Sequence, residues 1–156
     1  MKKLISALLF SFLAVNSYAS TWQYQTKSDD FDGVLKSADI ESDDGFVLFV
    51  FNDKDKNSNI PNHVAVILPK GTMIDTDCRD GCTGRIMFDN TEQDSARILG
   101  SSSYRSYYFI NPSDETRVIK ALSEGKTLKI QVPTYRGNKT AVFNQDKPLD
   151  MSKLSK

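Results

Sequence analysis

The sequence predicts a mostly β protein: an antiparallel β-sandwich or barrel-like sheet with one covering α-helix near residues 112–124. Three observations lead there. Strand-like runs outnumber helical ones through residues 20–156, which read as a single β-rich domain. The runs are short and separated by Gly, Asn, Asp and Ser turns, as in antiparallel folds. The regular strand–helix alternation that a parallel sheet requires is missing, and so is any repeat of fixed period.

Taken in order, "TWQYQTK" (21–27) alternates Trp22 and Tyr24 with polar neighbours, the period of a half-buried strand. "GFVLFVFN" (45–52) is a continuous β-branched and aromatic run bounded by polar turns, and it reads as a central strand of a packed sheet. "HVAVILP" (63–69), "GTMIDTD" (71–77), "GRIMFDN" (84–90), "YRSYYFI" (104–110), "KTLKIQVPTY" (126–135) and "KTAVFNQ" (139–145) are further strand candidates. The helix signal lies in "NPSDETRVIKALSEGK". Asn111 suits a cap, Pro112 the first helical position, Asp114 and Glu115 the positive N-terminal end, and Gly125 the stop. Val118, Ile119 and Leu122 fall on one side, a stripe suited to covering the sheet.

The first nineteen residues read as a secretory signal peptide. Lys2 and Lys3 precede an apolar run from Leu4 to Val15, and Ser17-Tyr18-Ala19 is a small-x-small cleavage pattern. That run is far shorter than the roughly 20 residues needed to span a bilayer, so no membrane insertion is expected after cleavage. A periplasmic location is expected, with secretion beyond the periplasm left open. The full chain carries 20 basic and 20 acidic side chains, and the leader removes two lysines and no acid. The near-neutral remainder has no nucleic-acid footprint and no electrostatic hold on an anionic membrane.

Cys78 and Cys82 are the two cysteines, with Asp80-Gly81 between them. A structural zinc site would take four ligands, and the single histidine, His63, lies in another segment. A redox motif would be Cys-x-x-Cys opening a helix, whereas the spacing here is Cys-x-x-x-Cys across a turn-forming pair. In an oxidising compartment the expected outcome is a disulfide that pins a turn.

Other constellations are incomplete. Asp53, Asp55 and Asn57 alternate as in a calcium loop, but Ser58 stands at the glycine position and Val64 at that of the closing acid. Residues 52–62 are therefore expected to form a solvated loop, with weak calcium binding left open. No Gly-x-Ser-x-Gly elbow accompanies His63, and no spacing singles out a carboxylate pair. No catalytic residue, cofactor or metal is expected. In "GSSSYRSYYF" (100–109), Tyr104, Arg105 and Tyr107 are candidate partner contacts, because Tyr and Arg combine contact area with hydrogen bonding at interfaces.

From "LPKGTMIDTDCRDGC" to the C-terminus the chain resembles the invasion-associated locus B group of small exported bacterial proteins. Cys78 with Gly81-Cys82 matches its cysteine followed by Gly-Cys, Leu122-Ser123-Glu124-Gly125-Lys126 its Leu-x-x-Gly-Lys stretch, and Leu149 to Leu154 its closing Leu-rich segment. The resemblance covers residues 68–154. After Trp22, where the group has further cysteines, this chain has none. The resemblance implies a periplasmic, disulfide-bearing β-sandwich without a catalytic centre. The expected function is a non-enzymatic binding or accessory protein, inhibitor- or immunity-like, whose partner is a periplasmic or envelope protein. The alternative is an envelope hydrolase or other enzyme with a dispersed active site.

Overall fold

The computed structural model describes residues 20–29, 33–52, 62–91 and 93–155. The leader, residues 1–19, and the calcium-loop candidates Asp53, Asp55 and Asn57 lie outside the described residues.

Among the described residues nine strands form one sheet: β1 (Gln23–Asp29), β2 (Gly33–Glu41), β3 (Val47–Asn52), β4 (Asn62–Ile67), β5 (Cys82–Phe88), β6 (Asp94–Gly100), β7 (Ser106–Phe109), β8 (Leu128–Val132) and β9 (Lys139–Phe143). The spatial order is β1-β2-β3-β4-β7-β6-β5-β8-β9, and every neighbouring pair is antiparallel. One helix, α1 (Pro112–Ser123), joins β7 to β8. The mostly β class, with one helix at the expected place, is thus the architecture observed.

Alternation sends one side chain in two to the core. Leu48 and Val50 on β3, Leu128, Ile130 and Val132 on β8, and Phe143 on β9 are all buried there. Each such side chain stabilises the fold by about 1.5–3 kcal/mol. The segments flanking the two edge strands meet in a parallel bridge between Ser20 and Gln145. Gln145 is the joint: its carbonyl oxygen accepts from the Trp22 indole at 2.8 Å, while its amide donates to the backbone oxygens of Leu122 and Lys126 at the end of α1. The C-terminal segment then folds back, burying Leu149 and Leu154 and placing the Lys153 ammonium 4.3 Å from the Tyr24 ring centre.

Three sequence expectations need correction. The continuous apolar run of β3 is buried on one side only, and Val47, Phe49 and Phe51 face outward, partly exposed. Residues 71–77 are not a strand. Ile74 makes a single bridge to Thr134, and Thr76–Asp80 turn into a 3-10 helix, with the Asp75 carboxylate accepting from the Asp77 amide. Asn111 precedes α1, but its side chain makes no hydrogen bond to the first-turn backbone and instead donates to Asp114 at 3.2 Å. The C-terminal end behaves as expected. Gly125 has φ +80°, and the amides of Gly125 and Lys126 donate to the carbonyls of Leu122 and Ala121, closing the helix with two reversed bonds.

The helix is tied to the sheet by a buried acid. Glu115 accepts from the Val64 amide at 3.1 Å and stands 3.3 Å from His63 Nδ1. Burial raises the Glu115 carboxyl above its ordinary value near 4.5, although the Val64 amide and His63 pull the other way. A raised carboxyl favours folding in its protonated form. The stabilisation it carries is complete below pH 4.5 and is lost as pH rises through the folded-state pKa. Glu115→Gln keeps an acceptor for Val64 but cannot ionise. Denaturant melts across pH 4 to 8 should show the variant gaining on the wild type as pH rises, and parallel profiles would refute this account of the joint.

Candidate interaction surfaces

The connections after β2, β4, β6 and β8 lie at the same end of the sheet, since neighbouring strands alternate in direction. Backbone hydrogen bonds knit the last three of these together. The Leu68 amide donates to the Arg105 carbonyl, the Ile74 amide to Tyr104, and the Tyr135 amide to Met73. Cys78 and Cys82 sit at this end at disulfide distance, with Cα atoms 4.9 Å apart. Gly81 between them has φ +101°, open to glycine and strained for other residues. Gly100 on β6 makes room for the cysteine loop: a Cβ there would collide with Ile74 and stand 3.3 Å from the Cys78 carbonyl oxygen.

The segment around Tyr104 is thereby brought onto the cysteine loop. Tyr104 lies in the connection before β7, with φ +58°, and its ring is partly buried under the Arg79 guanidinium, 5.7 Å from the ring centre. Arg105 is exposed and donates to the Leu68 carbonyl at 3.4 Å. Tyr107 is different. Its ring is fully buried, so it is no partner contact. Alternation on β7 turns Tyr107 and Phe109 into the core and Tyr108 outward. The Tyr107 hydroxyl accepts from the Asp75 amide at 3.2 Å and donates to the Pro133 carbonyl at 2.5 Å, pinning two connections from below. Burial raises its pKa, which keeps the hydroxyl a donor.

Two residues that sequence reasoning missed dominate this end. Tyr135 is 77% exposed and Met73 51% exposed. They line a hollow of about 300 Å³ together with Arg136 and Lys139. Lys70, Arg136 and Lys139 enter no salt bridge among the described residues. Reading residues 126–135 as one long strand hid Tyr135. The available signal was Tyr135-Arg136-Gly137-Asn138, a turn sequence that puts an aromatic ring beside a cation at a loop tip.

A second surface lies on the outside of the sheet. Phe49, Phe51, Ile67 and Tyr108 surround Ala65 and bound an open hollow of about 460 Å³. The outward residues of β1 and β8, such as Gln25 and Gln131, are polar by contrast, and on β5 Met87 stands among polar neighbours such as Arg85. Among the described residues no group of three or more His, Cys, Asp or Glu side chains is placed to hold a metal ion, and no helix is long and apolar enough to cross a membrane. No family model, curated protein or solved structure matches the chain.

The cysteine loop closes over five residues, so the loop-entropy relation gives a disulfide there about 2 kcal/mol of stabilisation. Cys78→Ser with Cys82→Ser should lower unfolding free energy by about that amount in a denaturant melt, and an unchanged melt would mean that the pair does not brace the turn. Gly100→Ala should cost about 1–3 kcal/mol by overpacking in the same melt, and a neutral result would mean that Ile74 and the cysteine loop shift freely.

Proposed function

We propose that the protein is a non-enzymatic binding or accessory protein, exported to the periplasm, that holds an envelope or periplasmic protein through the loops at the cysteine end of its sheet. The observation that carries this reading is the grouping there of exposed Tyr135, Met73 and Arg105 with Lys70, Arg136 and Lys139, cations that enter no salt bridge among the described residues. Aromatic, Met and Arg side chains are the types enriched at protein interfaces. Their support is stiff, because the Cys78–Cys82 pair, the Ile74–Thr134 bridge and the Tyr107 hydroxyl all fasten the same connections. A surface already ordered before contact loses little entropy on binding. Lys70, Arg136 and Lys139, at or beside the hollow, favour a carboxylate on the partner surface that meets them, while exposed Asp43, Asp44, Asp77 and Asp80 give the rest of this end a mixed charge. The resemblance of residues 68–154 to an exported protein group supports the periplasmic setting. An inhibitor- or immunity-like role is the form of this function in which the partner is an enzyme.

The test is site-specific photo-crosslinking in the producing cell. A photoreactive residue at Arg105 or at Tyr135 should give the same discrete adduct, and one at Gln25, on the polar outer face of β1, should not. Arg136→Glu with Lys139→Glu should weaken the adduct's partner affinity at least tenfold, a loss of about 1.4 kcal/mol. Adducts that form equally at Gln25, or affinity indifferent to charge reversal, would overturn the reading.

A further inference from the structure

The outer face of the sheet is a second surface, independent of the loop end. Its register places Asp39, Phe49, Ala65, Tyr108 and Leu99 in one transverse row across β2, β3, β4, β7 and β6. Ala65, the small residue, stands on the central strand, and the flanking rings rise on either side of it. A sheet face turned to water ordinarily carries polar side chains. Here Tyr108 is 40% exposed and Leu99 38%. Ile110, which follows β7, is 42% exposed beside them.

The charges at the two ends of the row have opposite signs. Asp39 ends it on β2, with Glu41 two residues further along that strand. Arg97 lies two residues from Leu99 on β6, exposed. Asp39, Glu41 and Arg97 form no salt bridge among the described residues. Burial raises the Asp39 carboxyl above its ordinary value and the neighbouring Glu41 adds to the shift, so a cation arriving from outside would be welcome there. Within one chain, β2 and β6 are four strand spacings apart, beyond ion-pair reach.

We propose that this face binds a second copy of the chain, two sheets packing face to face about a two-fold axis that runs along β4. Such an axis sets β2 of each copy against β6 of the other and β3 against β7. The Tyr108 ring then meets the partner's Phe49 above the hollow at Ala65. Asp39 faces the partner's Leu99, with the partner's Arg97 one side-chain length along the strand, about 7 Å. An axis across the strands would instead oppose β2 to β2 and bring the two Asp39 carboxylates together. The charge pattern therefore selects the first arrangement. The contact is isologous, uses an apolar centre with a charged rim, and leaves the loops around Tyr135 free.

The test is a charge swap read by analytical ultracentrifugation of the purified protein. Wild type should sediment as a dimer. Asp39→Lys alone and Arg97→Glu alone should each sediment as monomers, since each homodimer then opposes like charges twice. Mixing the two single variants should restore a dimer containing one of each, because every contact again pairs opposite signs. Circular dichroism of each variant should match wild type, and Phe51→Asp, in the apolar centre, should be monomeric in every mixture. A monomeric wild type up to its solubility limit would overturn the proposal and leave the face to a different protein. A dimer that survives the single charge reversals, or a mixture that stays monomeric, would overturn it as well.

Discussion

The segments flanking the first and last strands of the sheet are joined by a short parallel bridge, and the packing of that side of the core depends on it. Ser20 and Gln145 supply the backbone contact, and the side chain of Gln145 reaches both the Trp22 indole and the end of α1. Helix, first strand and last strand thus share one amide. Residues 149–154 then cover the opening with Leu149 and Leu154, buried side chains whose removal from water repays the ordering of an otherwise loose terminus. The helix is fastened at its other end by Glu115, which satisfies the Val64 amide where β7 no longer reaches β4.

The cysteine end follows the same logic at smaller scale. Three of the connections at this end, those after β4, β6 and β8, satisfy backbone groups by bonding to one another, while the turn after β2 bonds within itself. Tyr107 is central because its ring belongs to the core and its hydroxyl to the loops, so a packing residue fixes the position of a surface. Tyr104 accepts a left-handed backbone, which costs on the order of 1–2 kcal/mol, and the Ile74 amide and the Arg79 guanidinium hold it there. Strain kept at a loop by surrounding bonds is a common mark of recognition surfaces.

The two surfaces differ in chemistry. The loop end groups Tyr135 and Met73 with Arg136 and Lys139, whereas the outer sheet face is apolar with Asp39 at one margin and Arg97 at the other. They occupy different parts of the sheet, so the two contacts proposed above would not compete, and a dimer with two such ends would raise effective concentration at a target that presents two sites.

Much of the architecture was legible in the residues alone. Period-two alternation marks β1, β8 and β9, and Pro112, Asp114, Glu115 and Gly125 bound a helix through local effects that need no tertiary partner. The turn at Asp80-Gly81 is legible for the same reason, since it depends on backbone preferences of those two residues. β2 and β6 were not, because "GVLKSADIE" and "DSARILG" carry charged and helix-favouring residues that become strands only through pairing on both sides. Tertiary structure also decided which side of an apolar strand is buried. β3 reads as apolar throughout, and only the curvature of the sheet sends Leu48 and Val50 inward and leaves Phe49 and Phe51 to water. It decided the fate of the Tyr-rich segment too: starting β7 at Ser106 puts Tyr107 in the core and Tyr108 outside, a choice of register that the string of tyrosines does not contain. Local sequence determines where a chain turns and coils, whereas which face meets solvent is a property of neighbours distant in the chain.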